Sequence, residues 1–117
     1  MIAIRHAAVE ARIIHADCVE HMASLPPNSI DAIVTDPPYG LEIMGKEGDR
    51  LDAWRDGGAR QRQRGQGQYL WHRRWADQAI RVLKPGGHIA AFGGTRTIHR
   101  LACALEDAGF EIRDMLQ

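Results

Sequence analysis

SIDAIVTDPPYG, residues 29–40, is the most informative stretch of the 117-residue chain. Four of its first seven residues are apolar, a density typical of a strand that is buried on both faces of a parallel sheet. The run ends abruptly at residues 36–40 (DPPYG), where two successive prolines cannot donate hydrogen bonds to a neighbouring strand. A buried strand with a polar, proline-rich exit predicts an α/β fold that presents this exit at one edge of its sheet.

The rest of the chain alternates predicted strands and helices. In chain order we predict a strand at 11–16, a helix at 19–25, the strand at 29–35, a helix at 69–83, a strand at 88–92, a helix at 95–108 and a strand at 110–116. This order indicates a single domain, residues 1–117, with a doubly wound (Rossmann-like) sheet and flanking helices. Ligands of such sheets bind beyond the carboxyl ends of the strands, which is where residues 36–40 fall.

Helical spacing also predicts which side chains are buried. Trp71 and Trp75 fall on the apolar face of the first long helix, and we expect both in the core. Cys103 is expected in the core on the second long helix. Gly109 is expected to end that helix.

Composition excludes several classes of protein. Hydrophobic residues make up 44% and charged residues 26% of the chain, so wholesale disorder is excluded. No apolar run approaches the roughly 18 residues needed to cross a bilayer, and the first ten residues lack the apolar core of a signal peptide. Two cysteines make no disulfide framework, and the six histidines lack the spacing of metal ligands. We therefore expect a cytoplasmic protein with no membrane partner and no metal site.

The net charge of zero hides an uneven distribution. Residues 1–54 hold four basic and nine acidic side chains, whereas residues 55–74 hold six arginines and one aspartate. Residues 45–68 predict a mobile basic loop, and a local positive field of this kind favours a polyanion such as DNA. The alternative is a solvated loop with no partner. The candidate nucleic-acid contacts are Arg60, Arg62, Arg64, Arg73 and Arg74.

Residues 36–39, here called the DPPY segment, have the chemistry to hold a planar nitrogen base. The two prolines fix two φ angles and remove two N–H donors, which stiffens the segment. The Asp36 carboxylate and the Pro37 carbonyl can accept hydrogen bonds from an exocyclic amino group, while the Tyr39 ring stacks on the base. Positioning that amino group beside an electrophilic methyl group requires no nucleophile. The alternative interpretation is a surface turn after a strand.

The DPPY segment resembles the catalytic motif of the amino-methyltransferases, which methylate adenine or cytosine amino nitrogens from S-adenosylmethionine. Residues 15–40 (HADCVEHMASLPPNSIDAIVTDPPYG) are similar to the start of the permuted (β-type) bacterial and phage DNA adenine methyltransferases. Residues 81–114 look like the next strand, helix and strand of that family. The resemblance spans residues 12–114 and implies an enzyme of restriction–modification type.

The resemblance implies a role for each matching residue. The residues that would hold a flipped base are Asp36, Pro37, Pro38 and Tyr39. Asp17 and Cys18, together with Asp36, would bind S-adenosylmethionine, and the basic loop would face DNA. Aspartate at the first position of the motif favours adenine N6 over cytosine N4, because the cytosine enzymes more often carry serine there.

One family element is missing from the match. In the permuted family a glycine-rich FxGxG cofactor loop follows later in the chain, and this sequence reaches Gln117 without it. We therefore expect an incomplete catalytic domain that depends on a second chain or domain carrying that loop, or that forms a homodimer. The alternatives are a non-catalytic prophage remnant, a nucleic-acid-binding module and an RNA amino-methyltransferase. The RNA enzymes usually place the glycine-rich loop first, whereas residues 1–35 contain no glycine.

Overall fold

The computed structural model describes residues 2–6, 8–39 and 66–117. These residues form an α/β structure with four strands and three helices. In chain order the elements are β1 (Ile2–His6), β2 (Val9–Ile13), α1 (Cys18–Ser24), β3 (Ile30–Thr35), α2 (Gln66–Val82), β4 (Leu83–Ala91) and α3 (Ile98–Ala108). Residues 45–65 of the predicted basic loop lie outside the described residues.

The centre of the fold is a parallel pair of strands, β3 and β4. The register runs from Ala32 opposite His88 to Thr35 opposite Ala91. One face of the pair packs against α2 and α3, but the other is exposed, with Val34 at 75% exposure. The prediction that β3 is buried on both faces is therefore wrong for the part of the chain that is described, because helices cover only one face there.

The N-terminal strand differs from its prediction. The buried strand expected at 11–16 is instead β2, which pairs with β1 in an exposed antiparallel hairpin. Alternation explains the pairing, because Ile2 lies opposite Ile13 on one face while Glu10 and Arg12 share the other. Within the described residues the sheets are thus a hairpin and a parallel pair, and β2 does not extend the parallel pair.

The core lies between α2 and α3. Its fully or nearly fully buried side chains are Trp75, Ala76, Ala79, Leu101 and Leu105. Trp75 is buried as predicted, and Trp71 packs against this core while remaining partly exposed. The small alanines let the two helix backbones approach closely. The placement of Cys103 in the core is wrong, because the buried positions of α3 follow the spacing of Leu101 and Leu105 and turn residue 103 toward solvent.

Helix α1 is fixed at both ends by side chains. At its start, an oxygen of the Asp17 side chain accepts hydrogen bonds from the backbone N–H groups of Val19 and Glu20. At its end, the Arg81 guanidinium on α2 donates to the carbonyls of Met22 and, at 3.0 Å, Leu25. These charge-assisted bonds satisfy carbonyls that a helix leaves unpaired, and they join α1 to α2.

Several helix and strand boundaries differ from their predicted positions. Residues 66–68, expected in the loop, belong to α2, and α3 begins at Ile98 because residues 95–97 form a turn before it. Residues 84–87 form an excursion within β4, with Gly86 at φ +80°, where a strand was expected only from 88. Residues 110–116 form no strand. Gly109 ends α3 as predicted, in the left-handed conformation at φ +114°.

Candidate active site at the end of strand β3

The DPPY segment leaves the carboxyl end of β3, beside the exit of β4. The backbone N–H of Phe92 donates to the carbonyl of Thr35 at 3.0 Å, so the two strand exits stay together. Pro37 is buried and Asp36 is exposed. The segment therefore presents a carboxylate to solvent from a backbone that is partly enclosed by protein.

Asp36 and Tyr39 are joined by a direct hydrogen bond. The Tyr39 hydroxyl donates to Oδ1 of Asp36 at 2.7 Å. This bond to a carboxylate stabilises the neutral phenol and raises the pKa of Tyr39 above its ordinary value. In this conformation the Tyr39 hydroxyl is held on Oδ1 of Asp36, while Oδ2 accepts no hydrogen bond from the residues that the structure describes.

Thr97 is a member of the site that the sequence analysis did not identify. Its hydroxyl donates to the backbone carbonyl of Tyr39 at 2.6 Å, across 58 positions of sequence. No local pattern in the sequence indicates this contact, because it depends on how the turn before α3 lies against the DPPY segment. The structure thus brings together two residues predicted from the motif, Asp36 and Tyr39. It adds a third residue, Thr97, from the connection between β4 and α3.

Asp17 and Cys18 lie at the start of α1, and no hydrogen bond joins them to Asp36. Asp17 uses Oδ1 to cap the helix. Protein atoms packed around the sulfur, and the neighbouring Asp17 carboxylate, raise the pKa of the Cys18 thiol above its ordinary value. A thiol with a raised pKa is a poor nucleophile at neutral pH. Arg74 is near enough for its positive charge to act on this thiol. A predicted DNA contact on α2 therefore lies near the predicted cofactor residues at the start of α1.

The candidate DNA contacts divide into three groups. Arg60, Arg62 and Arg64 lie outside the described residues. Arg73 is on α2, where its guanidinium bonds to Asp77 at 2.8 Å and to the Tyr69 hydroxyl. The exposed Arg74 makes neither an ion pair nor a side-chain hydrogen bond with the described residues. Arg96, next to Thr97, is likewise exposed and was not singled out from the sequence.

Two further properties concern only the described ranges 2–6, 8–39 and 66–117. No group of three His, Cys, Asp or Glu side chains there is arranged to hold a metal ion. None of the helices in these ranges has the length and apolar character to span a membrane.

A comparison with known families tests the resemblance that the sequence predicts. The N6/N4 family model, described as a DNA methylase, matches residues 30–117, roughly three quarters of the chain. The chain belongs to the N6/N4 DNA methyltransferase family. The family match starts at the first residue of β3 and includes the whole DPPY segment, so the predicted resemblance is confirmed, while the roles of the individual DPPY residues stay predictions.

Two relatives illustrate this methyltransferase family. The chain is 27% identical to the type II methyltransferase M.HindIII of Haemophilus influenzae, over 89% of this chain and 41% of that protein. It is 29% identical to YubD of Escherichia coli (strain K12), over 87% of this chain and 40% of that protein. YubD is provisionally named a methylase. The chain therefore spans about two-fifths of the length of these relatives.

Proposed function

We propose that this methyltransferase transfers a methyl group from S-adenosylmethionine to the exocyclic amino nitrogen of a flipped DNA base, with adenine N6 as the preferred target. The observation that carries the proposal is the exposed Asp36 carboxylate on the DPPY segment, fixed at the carboxyl end of β3. Membership of the family supports DNA as the substrate. The aspartate at position 36 supports adenine as the target base, because the cytosine N4 enzymes more often carry serine at this position of the motif.

The chain's own side chains would act by positioning the amino group. Oδ2 of Asp36 would accept one N–H of the amino group and the Pro37 carbonyl the other, which directs the nitrogen lone pair out of the ring plane. When bound, S-adenosylmethionine supplies an electrophilic methyl group. The methylated nitrogen carries a positive charge until it loses a proton, and the Asp36 carboxylate stabilises that charge and offers an acceptor for the proton.

Tyr39 would change partners when the base binds. Its hydroxyl now lies 2.7 Å from Asp36, and stacking of the ring on a base would exchange this bond for contact with the base. The exchange needs rotation of the side chain only, since the Tyr39 backbone is held by Thr97.

The cofactor site would draw on Asp17, Cys18 and Asp36. Capping of α1 occupies Oδ1 of Asp17 and leaves Oδ2 to accept a hydrogen bond from a hydroxyl or amino group, which fits an adenosine moiety. A second chain or domain with a glycine-rich loop would complete the site. Within the described residues the outer face of β3 and β4 is exposed, with Val34 at 75% exposure and Phe92, just after β4, at 59%. This face supports such a partner or a homodimer, since parallel sheets are normally covered on both faces.

Calorimetry tests the cofactor assignment. We expect saturable binding of S-adenosylmethionine by a chimera in which this chain replaces the matching two-fifths of M.HindIII, and much weaker binding by the 117-residue chain alone. Equal affinity in the two proteins would contradict the need for a second element. Absence of binding by a folded chimera would contradict the cofactor proposal itself.

The DNA-facing surface would include the predicted arginines and Arg96. Arg74 and Arg96 are the candidates among the described residues whose guanidinium groups make no ion pair there, whereas Arg73 is engaged by Asp77. We expect Arg74→Gln and Arg96→Gln each to reduce the slope of log Kobs against log salt by about 0.9, the effect of one lost phosphate contact. Fluorescence anisotropy with labelled duplex DNA at several salt concentrations measures this slope. The control is Arg113→Gln, on the exposed C-terminal segment, and an equal change in that variant would contradict the assignment.

The proposed cellular location and biological role follow from the proposed substrate, DNA. An enzyme that modifies bacterial or phage DNA works in the cytoplasm. The similarity to a type II methyltransferase supports a place in restriction–modification, which remains part of this proposal.

A further inference from the structure

The DPPY segment is held in place from both ends by one neighbouring piece of chain. Its two prolines have no N–H groups, so the segment cannot build a hydrogen-bond ladder of its own. Immediately before the segment, the N–H of Phe92 donates to the carbonyl of Thr35, the last residue of β3, at 3.0 Å. At its far end, the hydroxyl of Thr97 binds the carbonyl of Tyr39 at 2.6 Å. Both donors belong to residues 92–97, the connection between β4 and α3.

That connection is itself firmly fixed. The backbone N–H groups of Thr97 and Ile98 both donate to the carbonyl of Gly94, at 3.1 and 2.9 Å, which closes the turn before α3. Gly93 lies so close to Ile98 that a Cβ at position 93 would overlap the Ile98 side chain. Ile98 in turn packs against the α2–α3 core. The position of the Thr97 hydroxyl is therefore set by the core of the protein.

We propose that Thr97 is a positioning residue for methyl transfer, whose hydroxyl holds the Tyr39 backbone so that the Tyr39 ring can move between Asp36 and the target base without displacing the DPPY segment. The inference rests on the proposed function and adds to it a residue outside the motif. Thr97 is half-buried, its β-branched side chain has few rotamers, and its bond to Tyr39 uses only the hydroxyl hydrogen. Thr97 acts through Tyr39 and touches neither substrate in this account.

The expected effect is on the chemical step. A reaction that depends on positioning loses about a hundredfold in rate when a reacting group is displaced by about 1 Å. Thr97→Val removes the donor at nearly constant shape, so we expect kcat for methyl transfer to fall by about ten- to a hundredfold while KM for DNA changes less than about threefold. Thr97→Ser keeps the hydroxyl and should restore kcat to within about threefold of the wild-type value.

A measurement that needs no activity tests the contact itself. Tyr39 and Tyr69 are the two tyrosines of the chain, so in a Tyr69→Phe background the ¹³Cζ resonance of labelled tyrosine reports Tyr39 alone. The bond to Asp36 raises the pKa of Tyr39 above its ordinary value of about 10. If Thr97 holds the segment in place, Thr97→Val weakens the Asp36–Tyr39 bond and moves that pKa toward the ordinary value. Thr97→Ser should leave it raised.

A neighbouring threonine provides the matched control. Thr95 lies in the same turn, is exposed, and makes no side-chain hydrogen bond with the described residues, so Thr95→Val should match the wild type in titration and kinetics. Thr97→Ala is the second variant to test if Thr97→Val does not fold.

The outcomes are distinct. An unchanged Tyr39 titration together with unchanged kcat in folded Thr97→Val would overturn the inference, and so would an equal loss of kcat in Thr97→Ser. If a folded chimera with M.HindIII binds DNA and cofactor but transfers no methyl group, the proposed function fails and the catalytic role of Thr97 falls with it. The titration still decides in that case whether the Thr97 hydroxyl holds Tyr39 against Asp36.

Discussion

Asp36→Ala should lower the rate of methyl transfer to DNA by about a thousandfold while leaving the protein folded. The carboxylate is the acceptor on the DPPY segment that faces solvent, and its loss removes both the hydrogen bond to the amino group and the charge opposite the methylated nitrogen. Its interaction within the described structure is the hydrogen bond from Tyr39. The free energy of unfolding should therefore change by less than about 1 kcal/mol. Transfer of tritium from labelled S-adenosylmethionine to DNA, with urea unfolding of the same samples, measures both effects.

Asp31→Ala is the matched control for the charge. Asp31 is on β3, the strand that Asp36 follows. It is exposed and pairs with Lys84 at 2.7 Å, and such solvent-screened ion pairs contribute little to stability. This variant should keep wild-type transfer and stability. Undiminished transfer by Asp36→Ala, or an equal loss in Asp31→Ala, would contradict the role given to the DPPY carboxylate.

Acid should destabilise the protein through His72. The side chain is 3% exposed on α2, where it accepts a hydrogen bond from Nε1 of Trp75 at 3.2 Å, and burial lowers the pKa of His72 to about 4. As the pH falls below about 6.5, the unfolded chain takes up a proton on this histidine and the folded protein does not, until the pH reaches about 4. Stability that is complete above pH 6.5 is therefore lost across this window, by about 3 kcal/mol in total.

Urea unfolding at pH values between 7 and 4 separates this effect from the titration of carboxylates when variants are compared. His72→Gln keeps an acceptor for Trp75 without a titrating ring, so it should lose about 3 kcal/mol less than the wild type over the window. His88→Gln, an exposed histidine on β4, should lose as much as the wild type. If His72→Gln and His88→Gln follow the same curve, burial does not keep His72 neutral.

The parts of the fold that are local in sequence could be predicted. These parts are strand β3, its exit at residues 36–39, the two long helices and the left-handed Gly109. All of them depend on neighbouring residues and are present in the structure. The hairpin was missed because its two strands stabilise each other, so β2 is recognised as a hairpin strand only when its partner in residues 2–6 is considered together with it. Cys103 was misplaced by one helical position beside Ala102, which is enough to turn a side chain out of the core.

In the candidate site, too, the features that are local in sequence could be predicted, and those that depend on tertiary contacts could not. Asp36, Pro37 and Tyr39 are carried by a four-residue motif, and its chemistry can be read from the side chains. The contacts of Thr97 with Tyr39 and of Arg81 with the end of α1 join residues 56 to 59 positions apart, and they depend on the tertiary packing. The hydrogen bond from the Tyr39 hydroxyl to Asp36 joins residues three positions apart, but the motif alone did not predict it, because the motif indicated only stacking of the ring on a base.

The identity of the modified base is the sharpest test of the proposed methyl transfer. DNA would be incubated with S-adenosylmethionine and either the 117-residue chain or its chimera with M.HindIII, then digested to nucleosides and analysed by mass spectrometry. We expect N6-methyladenine, formed only when the Asp36 side chain and the cofactor are both present. A product of 5-methylcytosine, or no methylated nucleoside from a folded chimera that binds both DNA and cofactor, would contradict this proposal.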